Sequence, residues 1–477
     1  MANRLAVLPK PAWRSLFFPV DIASLVYFRI VFGAVMLWEV GRYFAHRWIE
    51  RYWLEPIVHF TYYGFDWIRP WPGPGMYLHF VGLGILACFI ALGFWYRIST
   101  VLFFLGFSYI FLLEKARYLN HFYLIGLISF LLIFIPAHRA FSVDAFRHSR
   151  LRSKTAPAWA LWLLRLQIGV PYFYGGLAKL NGDWLQGEPM RMWMAARTDF
   201  PLIGAFFTEE WMIYLLSYGG LLLDLLVVPL LIWRRTRPFA FAAAVVFHLM
   251  NARLFIIGIF PWFMIAATAL FFPTDWPRHV WDRFWDRWRS TNSQKPFQPR
   301  LGNRYISHPR PFQPPHLEAL KPKQSLTLVI LGLYLGFQLL FPLRHYLYPG
   351  NVSWTEEGHR FAWHMKLRSK RAEAQFIVVD GRNGSVRYRV DPEDFLTDWQ
   401  ARKMAARPDM ILQFSHFLAE EYGNGDPGSV EVRAEVFASL NGRVSQQLID
   451  PAVDLSKQTQ TLAPAFWILP LQAPLSQ

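Results

Sequence analysis

Nine apolar runs alternate with polar segments before residue 346. A helix that crosses a membrane needs about 20 apolar residues. The runs cover residues 21–43, 76–95, 98–114, 121–136, 158–180, 211–233, 237–250, 254–272 and 324–345. Several are shorter than 20 residues, so we expect some helices to tilt, kink or re-enter. The pattern predicts a mostly α-helical membrane protein, built as a polytopic bundle of about nine transmembrane helices.

The pattern changes after residue 346, where polar and apolar residues alternate in short stretches. Residues 376–379 and 386–390 flank a 381–384 turn, which predicts a β-hairpin. Residues 403–422 have helical periodicity, and 430–440 and 444–449 alternate around an Asn441-Gly442 turn. These features predict a β-rich α+β soluble domain over residues 346–477.

The composition supports lipid as the solvent for much of the chain. Hydrophobic residues make up 54%, aromatic residues 18% and charged residues 17%, whereas soluble domains carry about 25% charged residues. This balance excludes a disordered chain. The one cysteine, Cys88, lies in an apolar run and excludes a fold held by internal disulfides.

The net charge of +16 lies largely in segments between the apolar runs. Residues 1–20, 137–157, 234–237 and 273–323 are all basic, and nine spans place all four on one side. The positive-inside rule makes that side cytoplasmic. We therefore expect a cytoplasmic segment 1–20, a transmembrane catalytic domain 21–345 with a basic cytoplasmic loop 273–323, and an extracytoplasmic domain 346–477. If one of the shorter apolar runs does not cross the membrane, the orientation of every later segment is reversed.

Several ionisable or polar residues lie within or at the ends of the apolar runs, where they are functional candidates by default. Lys179 closes the fifth run, and Tyr172, Gly175 and Gly176 share its helix face. The two glycines would let a flat ring approach the backbone. For Lys179 alone, the simpler interpretation is a lysine that extends to the membrane surface.

Two further pairs are candidates. Asn120 and His121 begin the fourth run, where a helix cap with an interfacial histidine is the simpler interpretation. His248 and Asn251 are spaced i, i+3, which a hydrogen-bonded core pair would also explain. For the buried charges Arg29 and Asp224, we expect structural ion pairs.

The nine-span topology brings the three candidate groups to the outer ends of their helices, under the soluble domain. This arrangement predicts an outer-leaflet site for a lipid-like molecule. No histidine or cysteine pair has a recognised metal-ligand spacing, so we expect no metal. The sequence has no phosphate-binding loop and no nucleic-acid module, and we expect no nucleic-acid partner.

The motifs around these residues resemble a known family. The stretches DIASLVYFRIVFG, YRISTVLFFL, LNHFYLIGL, YFYGGLAKLNGDWL, GGLLLDL and FHLMNARLFIIGIFPW resemble the vitamin K-dependent gamma-carboxylases, within the horizontally transferred transmembrane domain (HTTM) family. The resemblance is colinear over residues 21–277 and continues more weakly through YLYPGNVSWTEEGHRFAWHMKLRS and IDPAVD.

The resemblance implies a coupled reaction. Vitamin K hydroquinone, a reduced menaquinone or phylloquinone, is oxidised by O2 to the 2,3-epoxide. The oxidation drives removal of a proton from the γ-carbon of a peptide glutamate, and CO2 then adds to that carbon. The implied partners are the lipid bilayer, a lipid-soluble quinol and a glutamate-containing peptide or protein. The basic segments and the lack of a cleavable-signal pattern are compatible with a bacterial homologue in an inner membrane.

The resemblance also implies roles for the candidate residues. Lys179 matches the lysine that starts the reaction as a base, and His121 matches a histidine that would position or polarise the carbanion and CO2. By position, the quinol site would include Asn120, Tyr172, His248 and Asn251.

The peptide-binding region is implied to lie around residues 356–370. His359, Trp363 and Met365 would present the peptide. Trp363 and Met365 keep the family pattern. The sequence departs from it at four positions, with His359 in place of a tyrosine, Ala362 in place of a serine, Lys366 in place of a second methionine and Arg368 in place of a histidine.

Three functional classes remain open. The first is a gamma-carboxylase with linked epoxidase activity. The second is a quinol epoxidase, or another quinone-linked membrane enzyme, without the peptide step. The third is a transporter, which the lack of a visible inverted repeat disfavours.

Overall fold

The computed structural model describes residues 12–255, 257–292, 321–423 and 426–475. Its helices are α1 (Ala23–Ala45), α2 (Gly75–Leu92), α3 (Tyr96–Leu113), α4 (Asn120–Phe134), α5 (Val143–Arg147), α6 (Ala158–Ala178), α7 (Gly182–Leu185), α8 (Met190–Ala195), α9 (Glu210–Ile232), α10 (Arg237–Phe255), α11 (Phe260–Thr268), α12 (Trp276–Asn292), α13 (Pro322–Leu340), α14 (Val352–Thr355), α15 (Asp398–Ala405) and α16 (Pro408–Tyr422). Its strands are β1 (Pro19–Asp21), β2 (Thr155–Pro157), β3 (Lys370–Asp380), β4 (Val386–Val390), β5 (Val430–Leu440) and β6 (Gln446–Gln447).

Every predicted apolar run contains a helix, and the mostly helical membrane fold is confirmed. Among the described residues, six helices are long and apolar enough to cross a membrane, namely α1, α2, α3, α9, α10 and the helix that begins at Pro322. Asn120–Phe134 and Phe260–Phe271 are shorter apolar helices. The α6 helix is long but less uniformly apolar, since it carries Arg165 and Gln167. The count of nine spans stays a prediction.

Contacts between the helix ends gather the basic segments on one side of the bundle. Strand β1 pairs with β2 antiparallel, which joins the N-terminal segment to the 137–157 segment. The Ser24 hydroxyl donates to the Thr274 carbonyl, and Arg278 contacts Asp21. The Phe241 and Phe272 rings lie 5.1 Å apart at the start of α10. The described parts of these segments therefore lie at the same end of the bundle, and the topology itself stays a prediction.

The C-terminal part contains a four-stranded sheet in the order β4-β3-β5-β6. Phe376 pairs with Val390, which confirms the predicted hairpin. Inward residues of β3 and β5 alternate and pack with α16 to form a core separate from that of the bundle. The sheet is held to the bundle by Asp183, whose two carboxylate oxygens each accept a hydrogen bond of 2.7 Å from Arg443.

Three sequence-based expectations change in detail. The single helix predicted over 403–422 is two helices, α15 and α16, because Pro408 cannot continue the first and begins the second. The strand predicted over 444–449 is limited to Gln446–Gln447. Part of the predicted 273–323 loop is helix α12, and residues 293–320 lie outside the described residues.

The orientation of the bundle can be tested with two matched serines. In a chain that lacks Cys88, Ser149→Cys should react with an impermeant thiol reagent only after the membrane is opened, whereas Ser385→Cys should react in intact cells. Both positions are exposed, in a basic segment and in the β3–β4 turn respectively. Labelling of Ser149→Cys in intact cells would show that the predicted orientation is reversed.

Candidate active site

An apolar cavity of about 460 Å³ lies between α6, α9 and α10, under the C-terminal part of the chain. This volume is within the usual range of small-molecule sites. Leu215 of α9 and Val246 of α10 line the cavity and are also exposed on the outer surface of the bundle. The cavity therefore opens sideways between two membrane helices, which is where a lipid-soluble ligand could enter.

Lys179 and Asp224 form a buried ion pair at one wall of this cavity. Lys179 is only 5% exposed and Asp224 only 4%. The Lys179 ammonium donates to Asp224 Oδ2, lies 3.3 Å from the Gly175 carbonyl oxygen, and lies 5.2 Å from the centre of the Trp184 ring. The expectation that Asp224 belongs to an ion pair holds, but its partner is the lysine that the resemblance assigns as the base.

Two glycines allow this pair to form. A Cβ atom on Gly176 would lie 3.0 Å from the backbone nitrogen of Leu225, so the glycine lets α6 and α9 approach closely. A Cβ atom on Gly175 would lie 3.2 Å from Asp224 Oδ2 and 3.1 Å from Met365 Cε. The glycines therefore accommodate α9 and Met365, and not a ligand ring as the sequence suggested.

A second polar pair lines the same cavity. The Tyr172 hydroxyl and His248 Nε2 lie 2.5 Å apart, and both side chains are buried. His248 Nδ1 is buried and makes no hydrogen bond with the described residues. Asn251 lines the same cavity one helical turn from His248. Tyr172, Lys179, His248 and Asn251 are thus brought together as predicted.

Asn120 and His121 lie beside this cavity, not in its lining. The His121 ring is 5.7 Å from the ring of Phe260, which is in turn 6.0 Å from His248. Asn120 instead donates to the His364 carbonyl oxygen at 3.0 Å and accepts from the Tyr118 hydroxyl at 2.9 Å. Asn120 therefore positions the 358–368 segment, and its predicted quinol contact stays a prediction.

The 356–368 segment has an irregular backbone. Glu356, Phe361, Trp363 and Lys366 all have positive φ angles between 50° and 66°, a conformation that costs non-glycine residues about 1–3 kcal/mol each. Such strain persists only where surrounding contacts impose it, and it is common at functional sites.

A second, polar pocket of about 210 Å³ lies where this segment meets α15. Its lining includes six basic or imidazole groups besides Arg360, namely His359, His364, Lys366, Arg368, Lys403 and Arg407. Glu356 is the acidic residue in that lining, and it pairs with Arg368 at 2.7 Å. We call this the cationic pocket.

Electrostatics in the cationic pocket favour an anionic ligand. The positive charge of neighbouring Arg407 lowers the pKa of Lys403 to about 8. Burial lowers the pKa of His364 to about 3, so this ring is neutral at physiological pH. Both ring nitrogens of His364 are buried and make no hydrogen bond with the described residues. Because Lys403 loses its proton as the pH rises through about 8, attraction of an anion should be strongest below that pH.

Two adjacent residues connect the two pockets. Lys366 lines both of them, and Met365 lines the apolar cavity. His359 lines the cationic pocket, whereas Trp363 is buried in the core and packs 4.9 Å from the ring of Tyr123. His359, Trp363 and Met365 therefore do not form one face, and Trp363 supports the segment from behind.

Sequence reasoning missed three residues of the site. Asp224 was assigned only a structural role, although a carboxylate within an apolar run is a signal for a cationic partner. Lys403 and Arg407 carried no signal, because their side chains join the pocket only through the packing of α15. Among the described residues, no group of three metal-binding side chains was found.

Two family models match the chain. The family model described as the HTTM domain matches residues 17–276, and the model described as the vitamin K-dependent gamma-carboxylase lumenal domain matches residues 323–474. The first match covers more than half of the chain. The chain therefore belongs to the vitamin K-dependent gamma-carboxylase family of HTTM proteins. No solved structure matches it.

Proposed function

We propose that this protein couples the oxidation of vitamin K hydroquinone by O2 to the carboxylation of a glutamate side chain in a peptide. The observation that carries the proposal is the pairing of two pockets across Met365 and Lys366. One pocket is apolar, opens toward lipid and holds the Lys179–Asp224 pair. The other is cationic and lies between the 356–368 segment, α15 and the start of α4.

The apolar cavity fits a quinol ring. A Cβ atom on Gly219, which lines the cavity, would have no atom within 4 Å, so open space lies against the backbone there. The buried Nδ1 atom of His248 has no hydrogen-bond partner among the described residues and could bind a ring oxygen. Tyr172, His248 and Asn251 would hold one end of the ring, and the isoprenoid tail would leave between Leu215 and Val246.

Bound hydroquinone would supply, by its oxidation to the 2,3-epoxide, the strong base that the glutamate γ-carbon requires. Lys179 would take the first proton from a ring hydroxyl at its Nζ atom. Transfer of its own proton to Asp224 Oδ2 gives a neutral amine and a neutral acid. The net charge of the pair does not change, so the surrounding low dielectric does not oppose the transfer as it would for a lone charge.

The cavity also has to exclude water, because a strong base there would otherwise take its proton from solvent. The side chains of Trp184, Leu223, Phe247 and Met264 supply an apolar lining. Met365 lies against Gly175 at the side of the cationic pocket. The same lining admits O2 and CO2, which are small and apolar.

The cationic pocket would hold the carboxylate of the substrate glutamate. Lys403, Arg407 and Lys366 are cations in this pocket that do not pair with its one acidic residue, Glu356. A carboxylate bound there would be next to Lys366, and hence at the boundary of the apolar cavity. His121 lies near this boundary, since Asn120 lines the cationic pocket and Phe260 separates His121 from His248.

This function suits a multi-pass membrane protein. The basic side would face the cytoplasm and residues 346–477 would lie outside, as in an inner membrane of a bacterium. The quinol would reach the site from the lipid, and the peptide would reach it from the other compartment.

The two half-reactions should be separable by mutation. Lys403→Gln should raise the KM for a glutamate peptide about 10–100-fold, because one charge-assisted contact is worth roughly 1.5–3 kcal/mol, and it should leave epoxide formation intact. Arg402→Gln is the matched control, since Arg402 is exposed on the same helix and does not line the pocket. His121→Ala should likewise lose carboxylation while it keeps some epoxide formation.

The measurement is the amount of epoxide and of carboxylated peptide formed in the same reaction. Equal loss of both products in His121→Ala would assign the histidine to the quinol step. An equal rise in KM for Lys403→Gln and Arg402→Gln would remove the cationic pocket from peptide binding.

A further inference from the structure

A second large cavity lies at the opposite end of the bundle from the active site. It has a volume of about 920 Å³ and is formed by the first turns of α1, the end of α2 and the segments 139–146 and 152–154. We call it the basal pocket. The ends of α2 and α4 and the starts of α1 and α6 meet on this side, whereas Lys179 and the sheet are on the other.

The lining of the basal pocket is cationic. Arg139, Arg152 and Lys154 line it together with Arg29, and no acidic residue is part of the lining that the structure describes. Arg152 donates to the Ala145 carbonyl oxygen at 2.7 Å. The Arg139 and Lys154 side chains make no hydrogen bond or ion pair within the described residues, and both residues are exposed.

Arg29 adds a buried charge beneath these groups. It is fully buried, and its guanidinium donates to the carbonyl oxygens of Ala137 at 2.8 Å and Phe141 at 2.5 Å. Its Nε atom is buried and has no partner among the described residues. The ion pair expected for Arg29 is not formed, since its acceptors are carbonyl groups that carry no net charge. The pocket thus has an excess of positive charge from its base to its rim.

The rim of the pocket is apolar and aromatic. Phe141 and Phe146 line the pocket and are 72% and 80% exposed. The Phe141 ring contacts the ring of Trp281 on α12 at 6.2 Å. Exposed aromatic rings beside basic residues are typical of the boundary between a membrane and water. A pocket with this rim faces lipid headgroups as well as solvent.

We propose that the basal pocket binds the headgroup of an anionic phospholipid, with its phosphate between Arg139 and Lys154 and its acyl chains against Leu92 and Phe146. Basic pockets between membrane helices on the cytoplasmic side bind anionic headgroups in this way. The excess of positive charge selects an anionic headgroup over a zwitterionic one. The apolar rim selects a lipid over a soluble anion.

The test compares two double variants of the full-length chain, purified in detergent. Arg139→Gln/Lys154→Gln removes two charges of the pocket without breaking a described contact. Arg147→Gln/Arg150→Gln removes two exposed charges of the same segment outside the pocket lining. Each protein is titrated with phosphatidylglycerol and with phosphatidylcholine, and bound phosphatidylglycerol is challenged with inorganic phosphate.

We expect the native chain to prefer phosphatidylglycerol and the pocket variant to bind it roughly 30-fold more weakly. The control variant should change much less, and binding of phosphatidylcholine should be the same in all three. Equal losses in the two variants would show a general surface-charge effect and overturn the proposal. Displacement of phosphatidylglycerol by inorganic phosphate would overturn it in favour of a soluble anion.

Discussion

Lys179→Ala should reduce formation of both the quinone epoxide and the carboxylated peptide by about 10²–10⁴-fold, the usual contribution of a positioned general base. Both products should fall together, because the first proton is removed before the two half-reactions separate. Lys179→Arg should not restore activity, since a guanidinium stays protonated. The measurement is the initial rate of each product at saturating hydroquinone.

Leu180→Ala is the matched control for this change. Leu180 is the next residue along the chain but is 53% exposed, so its truncation should leave both rates near the native values. Epoxide formation at the native rate in Lys179→Ala would remove Lys179 from the mechanism, whatever happens to carboxylation.

Asp224→Ala should destabilise the protein by about 3–5 kcal/mol, because it leaves the buried Lys179 charge without a partner. Lys179→Met/Asp224→Leu should recover most of this loss, since two apolar side chains replace a buried ion pair at little cost. The double variant should remain inactive although it is folded. Thermal unfolding in detergent gives the stability, and product formation gives the activity.

The combination of variants separates folding from chemistry. Asp199→Ala serves as the control, because Asp199 is exposed near the same end of the bundle and its loss should change neither quantity. If the double variant were stable and also made epoxide, the ion pair would be structural only. If Asp224→Ala were as stable as the native chain, the pair would not be a buried one.

The sequence was sufficient to predict the helices, because apolar runs in lipid have few alternatives to a helix. The hairpin at 381–384 and the Asn441-Gly442 turn followed from turn chemistry that acts locally. The sequence could place four residues at one end of the bundle, because the number of membrane crossings between two helix ends decides whether those ends lie on the same side. These residues are Tyr172, Lys179, His248 and Asn251.

Tertiary packing determined what the sequence could not show. The sequence suggested that Gly175 and Gly176 leave space for a ligand, but Met365 and Leu225 occupy that space. Trp363 was expected at a substrate face and is instead buried against Tyr123. The cationic pocket combines the 356–368 segment with α15, and no periodicity relates such distant residues. Likewise, the backbone partners of Arg29 depend on how the 137–141 carbonyl groups turn toward α1.

The most direct test of the proposed function is to incubate the native protein with vitamin K hydroquinone, O2, isotope-labelled CO2 and a library of glutamate peptides. Epoxide is quantified, and mass spectrometry detects labelled CO2 on glutamate. We expect both products, with carboxylation confined to glutamate residues and both products lost in Lys179→Ala. Epoxide without any labelled peptide would contradict the carboxylase and leave a quinol epoxidase, and neither product would contradict the account as a whole.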